Sequence, residues 1–132
     1  MDNIEESSQQ IFQPDVFSSA CSSRDVVQHL TGRWAPLVIV ALQEEGVLRF
    51  GQIRRKIQGI SDRMLSQTLG QLERDGMVRR TVHSAIPPNV DYQLTDLGTK
   101  ISQPLQSLIE AVENELPAVL TAQQHYDAHS GD

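Results

Sequence analysis

The chain has 132 residues, 39% hydrophobic and 21% charged, which suits one compact domain with tails and excludes both two ordinary domains and disorder of the whole chain. Its longest apolar run, Ala35 to Leu42 with Pro36 inside it, falls far short of the ~20 residues that cross a bilayer, so no membrane span is expected. The net charge of −6 is unevenly spread: all eleven basic residues lie between Arg24 and Lys100, and stretch 49–80 holds eight basic residues against three acidic ones.

The flanks, 1–22 and 101–132, carry acidic residues and no Lys or Arg. Met1 to Gln10 is acidic and polar, unlike a secretion signal, so a cytoplasmic location is expected. One cysteine, Cys21, cannot build an intramolecular disulfide framework, in keeping with a reducing compartment. The expected organisation is an acidic arm over 1–20, a domain over 21–117 and a flexible tail over 118–132.

In chain order, Ser22 or Ser23 is expected to cap a short helix from Arg24 to about Thr31, with Val26, Val27 and Leu30 on one side. Trp34 to about Glu45 is nearly continuous in apolar residues. Pro36 suits a first turn and Gly46 a stop, so this helix is expected to be buried almost all round. Leu48 to Phe50 reads as briefly extended, after which Phe50, Ile53 and Ile57 recur at helical spacing. Gln58-Gly59-Ile60 breaks the pattern. Ser61 then opens a helix with an inward stripe of Leu65, Leu69 and Leu72, closed by Asp75-Gly76. Two short helices around a tight glycine-containing turn are the pattern of a helix-turn-helix.

The polar side of that second helix carries Arg63, Ser66, Gln67 and Gln71, side chains suited to reading bases in a major groove. Arginine can hold guanine bidentately and glutamine adenine, each good pair discriminating by roughly 1–3 kcal/mol. Gly70 on the same side either admits a closer approach of the groove or is a helix defect costing about 0.5–1 kcal/mol relative to Ala; the residues leave both open. Candidates for phosphate or wing contacts are Arg49, Arg55, Lys56, Ser61, Arg80, His83 and Asn89.

After Gly76 the period becomes two. Met77 to His83 and Val90 to Leu94 read as strands, with Ser84 to Asn89 as a loop stiffened by Pro87-Pro88. A hairpin directly after a recognition helix is a wing, although a plain structural hairpin would look the same. Thr95 is expected to cap a last helix that runs through Leu97, Ile101, Leu105, Leu108, Ile109, Val112 and Leu116 to about Pro117, bent at Pro104. Its apolar surface exceeds what one small domain covers, which predicts a two-fold homodimer. The two recognition helices would then stand roughly 34–36 Å apart on near-palindromic double-stranded DNA. The fold expected is mainly α with a small β-hairpin, a winged helix-turn-helix dimerising through N- and C-terminal helices.

Gly32-Arg33-Trp34, Arg49-Phe50, Gly59-Ile60-Ser61, Met64-Leu65, Leu69, Leu72-Glu73, Asp75-Gly76, Arg80, Pro87-Pro88, Val90, Tyr92, Leu94-Thr95 and Gly98 together carry a resemblance. Over about 21–110 the chain resembles the HxlR family of MarR-like winged helix-turn-helix transcription regulators. The resemblance implies a homodimer joined by its terminal helices, and a repressor or activator answering to electrophiles, quinones or oxidants. It also implies a redox-sensing role for Cys21, which stands at the family's spacing from Trp34. Three positions depart from the family. Asn89 replaces a basic residue, Gly70 replaces a longer and often basic side chain, and Cys21-Ser22 replaces Cys-Pro. Ser22 and Ser23 offer Cys21 no cationic neighbour, and no second cysteine is present. Its oxidation product would therefore be a disulfide between subunits, a mixed disulfide or an adduct.

No metal or cofactor is expected. His125 and His129 would share a face only if the tail were helical, and His29 and His83 lack a third ligand. Catalysis is not expected either, because the chain has no glycine-rich phosphate loop, no nucleophile elbow and no Cys with a His and Asn context. The alternative is a winged-helix protein-interaction or ligand-binding module. An interaction module would carry apolar residues where Arg63, Ser66 and Gln67 stand. A small effector could sit near Trp34 or Phe50, both of which read better as core.

Overall fold

The computed structural model describes residues 13–130; the acidic side chains Asp2, Glu5, Glu6 and Asp132 of the expected arm and tail lie outside them. The element order is α1 (Ser22–Leu30), α2 (Ala35–Glu45), β1 (Val47–Arg49), α3 (Phe50–Lys56), α4 (Asp62–Arg74), β2 (Val78–Ala85), β3 (Pro88–Leu94) and α5 (Asp96–Ser130). The architecture is mostly helical with one small antiparallel sheet.

The core forms around α2. Val38, Ile39 and Leu42 are sealed from solvent together with Ile53 of α3 and Leu65 and Leu72 of α4. These are the 3.6-period positions of three successive helices, and each such side chain contributes about 1.5–3 kcal/mol on burial. One flank of α2 departs from the expectation of burial all round, because Leu37 remains 42% exposed. The α3–α4 turn is possible because Gly59 takes φ +93°, a left-handed conformation that costs glycine nothing. Ser61 then caps α4 by accepting the Met64 N–H at 3.1 Å.

The sheet order is β1-β3-β2, all antiparallel, with Leu48 opposite Tyr92 and Arg80 opposite the other side of Tyr92. Thus β1, which directly precedes α3, pairs with the far strand of the wing hairpin. A register shift lies between Val82 and Ser84, and Ala85 pairs with Pro88. The hairpin tip is therefore Ile86-Pro87, shorter than the Ser84 to Asn89 loop expected. A proline is tolerated as the first residue of a strand, where its missing N–H is not demanded by the ladder.

Two helix ends also differ from the sequence reading. Helix α1 starts at Ser22 with Cys21 at its N-cap, and neither Ser22 nor Ser23 caps it. The Ser23 hydroxyl lies instead 3.0 Å from Cys21 Sγ. The long helix α5 is capped as expected by Thr95, which accepts the Gly98 N–H at 3.0 Å. It does not end at Pro117, however, and residues 118–130 continue the helix in place of the flexible tail expected. The flanking Glu, Leu, Ala and Gln residues are strong helix formers, and the Thr121 hydroxyl donates to the Pro117 carbonyl at 3.0 Å. Among the described residues no helix is long and apolar enough to cross a membrane.

Candidate nucleic-acid interface

Because Leu65, Leu69 and Leu72 anchor α4, the opposite side of that helix must face outward, and Arg63, Ser66 and Gln67 are exposed there. Gln71 is set apart from them. It is half-buried and its side-chain amide donates to Asp75 Oδ1 at 3.1 Å. The same carboxylate takes His29 Nδ1 at 2.8 Å on its other oxygen, so α1 is tied to the C-terminal end of α4 through a carboxylate only 7% exposed. Sequence reading missed this tie because His29 and Asp75 are 46 residues apart.

The seven residues expected to meet phosphate or form the wing separate by their partners. Lys56 Nζ lies 3.1 Å from Glu45 and 3.2 Å from Glu44, and these hydrogen bonds, Glu45 first, push its pKa above the ordinary lysine value. Its charge is thus already answered within the chain. Arg49 and His83 converge on Asp91, at 3.8 Å and 2.6 Å. Ser61 spends its oxygen on the cap of α4. Arg55 and Arg80 are exposed and, among the described residues, make no ion pair. Asn89 lies in β3 beside the hairpin tip, with an Oδ1 that finds no partner among the described residues. Arg63 and Arg79 share the unpaired state of Arg55 and Arg80. The alternation of β2, however, turns Arg79 to the strand face opposite Arg80. The hairpin tip presents Ile86, 91% exposed. Exposed arginines without an ion pair among the described residues thus stand on α3, α4 and β2.

Trp34 and Phe50 pack partly buried against the core. Trp34, with the Arg33 guanidinium 4.8 Å from its ring centre, also lines a cleft of about 240 Å³ together with His29, Met64, Gln67 and Gln71. That is below the roughly 300–1,000 Å³ common for ligand pockets.

Cys21 is half-buried at the start of α1. The backbone N–H of Asp15 donates to its Sγ at 3.4 Å, and Arg24 braces the preceding segment by donating to the carbonyls of Val16 and Phe17 at 3.0 and 3.1 Å. The Asp15 N–H, followed by the Ser23 hydroxyl, lowers the pKa of the thiol by stabilising the thiolate. Hydrogen-bond donors thus supply what the missing cationic neighbour does not. The rate of Cys21 alkylation by iodoacetamide is expected to rise with pH through a midpoint below that of an ordinary cysteine in an unstructured peptide. Ser23→Ala removes a donor to the thiolate and should move that midpoint upward. A midpoint unchanged in Ser23→Ala would show that the hydroxyl does not hold the thiolate.

With this geometry in place, the HxlR-like helix-turn-helix model matches residues 29–119. The chain belongs to the HxlR-like helix-turn-helix family. It is similar to the HTH-type transcriptional regulator YtfH of Escherichia coli K12, 44% identical over 113 residues that cover 86% of this chain and 89% of YtfH. Among solved structures it is similar to the transcriptional regulator ytfH from Salmonella typhimurium, with a TM-score of 0.80 and 40% identity, covering 85% of this chain and 99% of that one. It is also similar to the redox regulator HypR in its reduced form, with a TM-score of 0.69 and 28% identity over 75% and 97% of the two chains. This HxlR-like chain is accordingly a transcriptional regulator with a helix-turn-helix domain, and the relatives it matches are regulators rather than enzymes. Among its described residues no three His, Cys, Asp or Glu side chains gather as a metal site. His125 and His129 do share a helical face, their rings 4.2 Å apart, but His129 Nδ1 already bonds the His125 carbonyl at 2.7 Å.

Proposed function

We propose that the protein binds near-palindromic operator DNA as a homodimer, with α4 in the major groove and the β2–β3 hairpin on the flanking backbone, and that oxidation of Cys21 alters this binding. The observation that carries the reading is the exposed set Arg63, Ser66 and Gln67 on α4, with Arg80 of β2 beside Ser66 and Arg55 exposed on α3, neither of them in an ion pair among the described residues. Base readout is assigned to Arg63, Ser66 and Gln67. Gln71 is assigned the second task of holding Asp75, and hence the tilt of α4 against α1. Phosphate contacts are assigned to Arg55 and Arg80, with Arg49 and His83 placed by Asp91. The lowered pKa of Cys21 and the likeness to a redox regulator support the oxidant response.

Binding of the purified protein to fragments of its own upstream DNA, at several salt concentrations and with or without diamide, tests the reading. Salt-sensitive binding to one fragment, lost with diamide in the wild type and retained in Cys21→Ser, is the expected result. Failure to bind any fragment would sink the DNA reading, and an unchanged diamide response in Cys21→Ser would sink the sensor. The contact types should separate as well. Arg63→Ala is expected to cost about 1–3 kcal/mol on the preferred site and little on other sequences. Arg55→Ala or Arg80→Ala should weaken all sequences alike and reduce the slope of log affinity against log salt by about one. Identical behaviour of the three variants in a filter-binding series would contradict these roles.

A further inference from the structure

A glycine well inside a helix usually answers to something within the molecule, either a left-handed backbone or a neighbour too near for a methyl group. Gly70 of α4 has neither. The positive-φ glycines among the described residues are Gly46, Gly59 and Gly76. A Cβ built at position 70 would meet no atom within 4 Å. The fold therefore bears the helix penalty of glycine here and gains no packing in return. The missing side chain matters instead at the surface. Gly70 is exposed and floors a hollow of about 370 Å³ between α4 and the hairpin, walled by Ser66, Glu73, Arg80 and Tyr92. Ser66 belongs to the proposed groove-facing set, and Arg80 makes no ion pair among the described residues.

Resting on the reading that α4 enters the major groove, we propose that Gly70 is a positioning notch for the operator. The sugar-phosphate strand running between the recognition helix and the wing seats against bare helix backbone at Gly70, with a phosphate on Arg80. Glu73, on the same wall, repels phosphate and so confines it to the Arg80 side. A methyl at position 70 would hold the strand away and lengthen the Ser66 and Arg80 contacts together, while relieving the helix of its glycine.

Stability and affinity should consequently move in opposite directions in Gly70→Ala, measured on the full chain by thermal melting and by binding to the upstream fragment that the wild type selects. The melting temperature is expected to rise by about 2–5 °C. Affinity is expected to fall by about tenfold to a hundredfold, with the salt slope reduced by about one as the Arg80 contact is lost. Gly70→Ser should weaken binding in the same way. Affinity within twofold of wild type, or improved, alongside a raised melting temperature would overturn the notch and leave Gly70 a helix defect. If Arg63→Ala still relaxes base preference in that assay, the DNA reading stands and the notch alone fails. A wild type that binds no fragment removes both.

Discussion

Gly98→Ala is expected to destabilise the fold by about 2–3 kcal/mol, lowering the melting temperature by roughly 6–15 °C. Gly98 is buried in the first turn of α5, and a Cβ there would run into the Met77 carbonyl oxygen and stand 3.2 Å from a terminal carbon of Leu94. The obstruction cannot slide away cheaply, because both backbone groups of Met77 are in use. Its N–H donates to the Leu72 carbonyl at 2.9 Å, and its carbonyl accepts the Thr95 N–H at 3.0 Å. Thr95 is in turn the cap of α5 and donates its hydroxyl to the Gly76 carbonyl at 2.6 Å. One methyl group would therefore strain the end of α4, the start of β2 and the start of α5 together. A melting temperature within 2 °C of wild type would mean that α5 can lift away from this junction at little cost.

The double variant Leu108→Asp, Leu116→Asp should be a folded monomer that has lost at least about a hundredfold in DNA affinity. Both side chains lie outside the core, 57% and 41% exposed, so helix content and melting should persist. Positions 108, 112, 116, 119 and 126 recur along one side of α5 and carry Leu, Val, Leu, Val and Tyr, each at least 41% exposed. Such a stripe calls for a partner surface. In a two-fold pairing each substitution acts twice, so four carboxylates would enter one apolar seam. Sedimentation velocity reads the outcome directly. A double variant that stays dimeric would move the interface to another surface, with Leu37 on α2 next in line.

The helix-turn-helix was legible because each of its boundaries has a local cause. Ser61 caps, Asp75-Gly76 stops, and the leucine spacing leaves one side of α4 free. The start of α1 was misplaced because Cys21 occupies the cap without bonding through its side chain, whereas Ser22 and Ser23 look like better caps. The end of α5 was misplaced because Pro117 reads as a terminator, yet a proline removes one hydrogen bond, and here strong helix formers on both sides and the Thr121 hydroxyl outweigh that loss. At the interface the residue types were legible and their state was not. Which cations are already answered depends on Glu44, Glu45 and Asp91, and those meetings are tertiary. Likewise the sequence offered two readings of Gly70, and only the empty space around it distinguishes an internal need from an external one.

The three-residue strand β1 has a mechanical consequence. By pairing with β3 it bolts the hairpin to the segment that leads into α3, while the Met77 junction bolts the same hairpin to the end of α4. Helix and wing are thereby clamped at both ends into a fixed calliper, whose jaw width a modest signal is poorly placed to change. Cys21 lies outside that clamp, at the start of α1, whose far end holds α4 through His29 and Asp75. In the dimer proposed above, oxidation of the thiol would have a lever rather than a latch to act upon: it would alter the pitch and spacing of two such callipers, so operator spacing, more than base sequence, is expected to register the change.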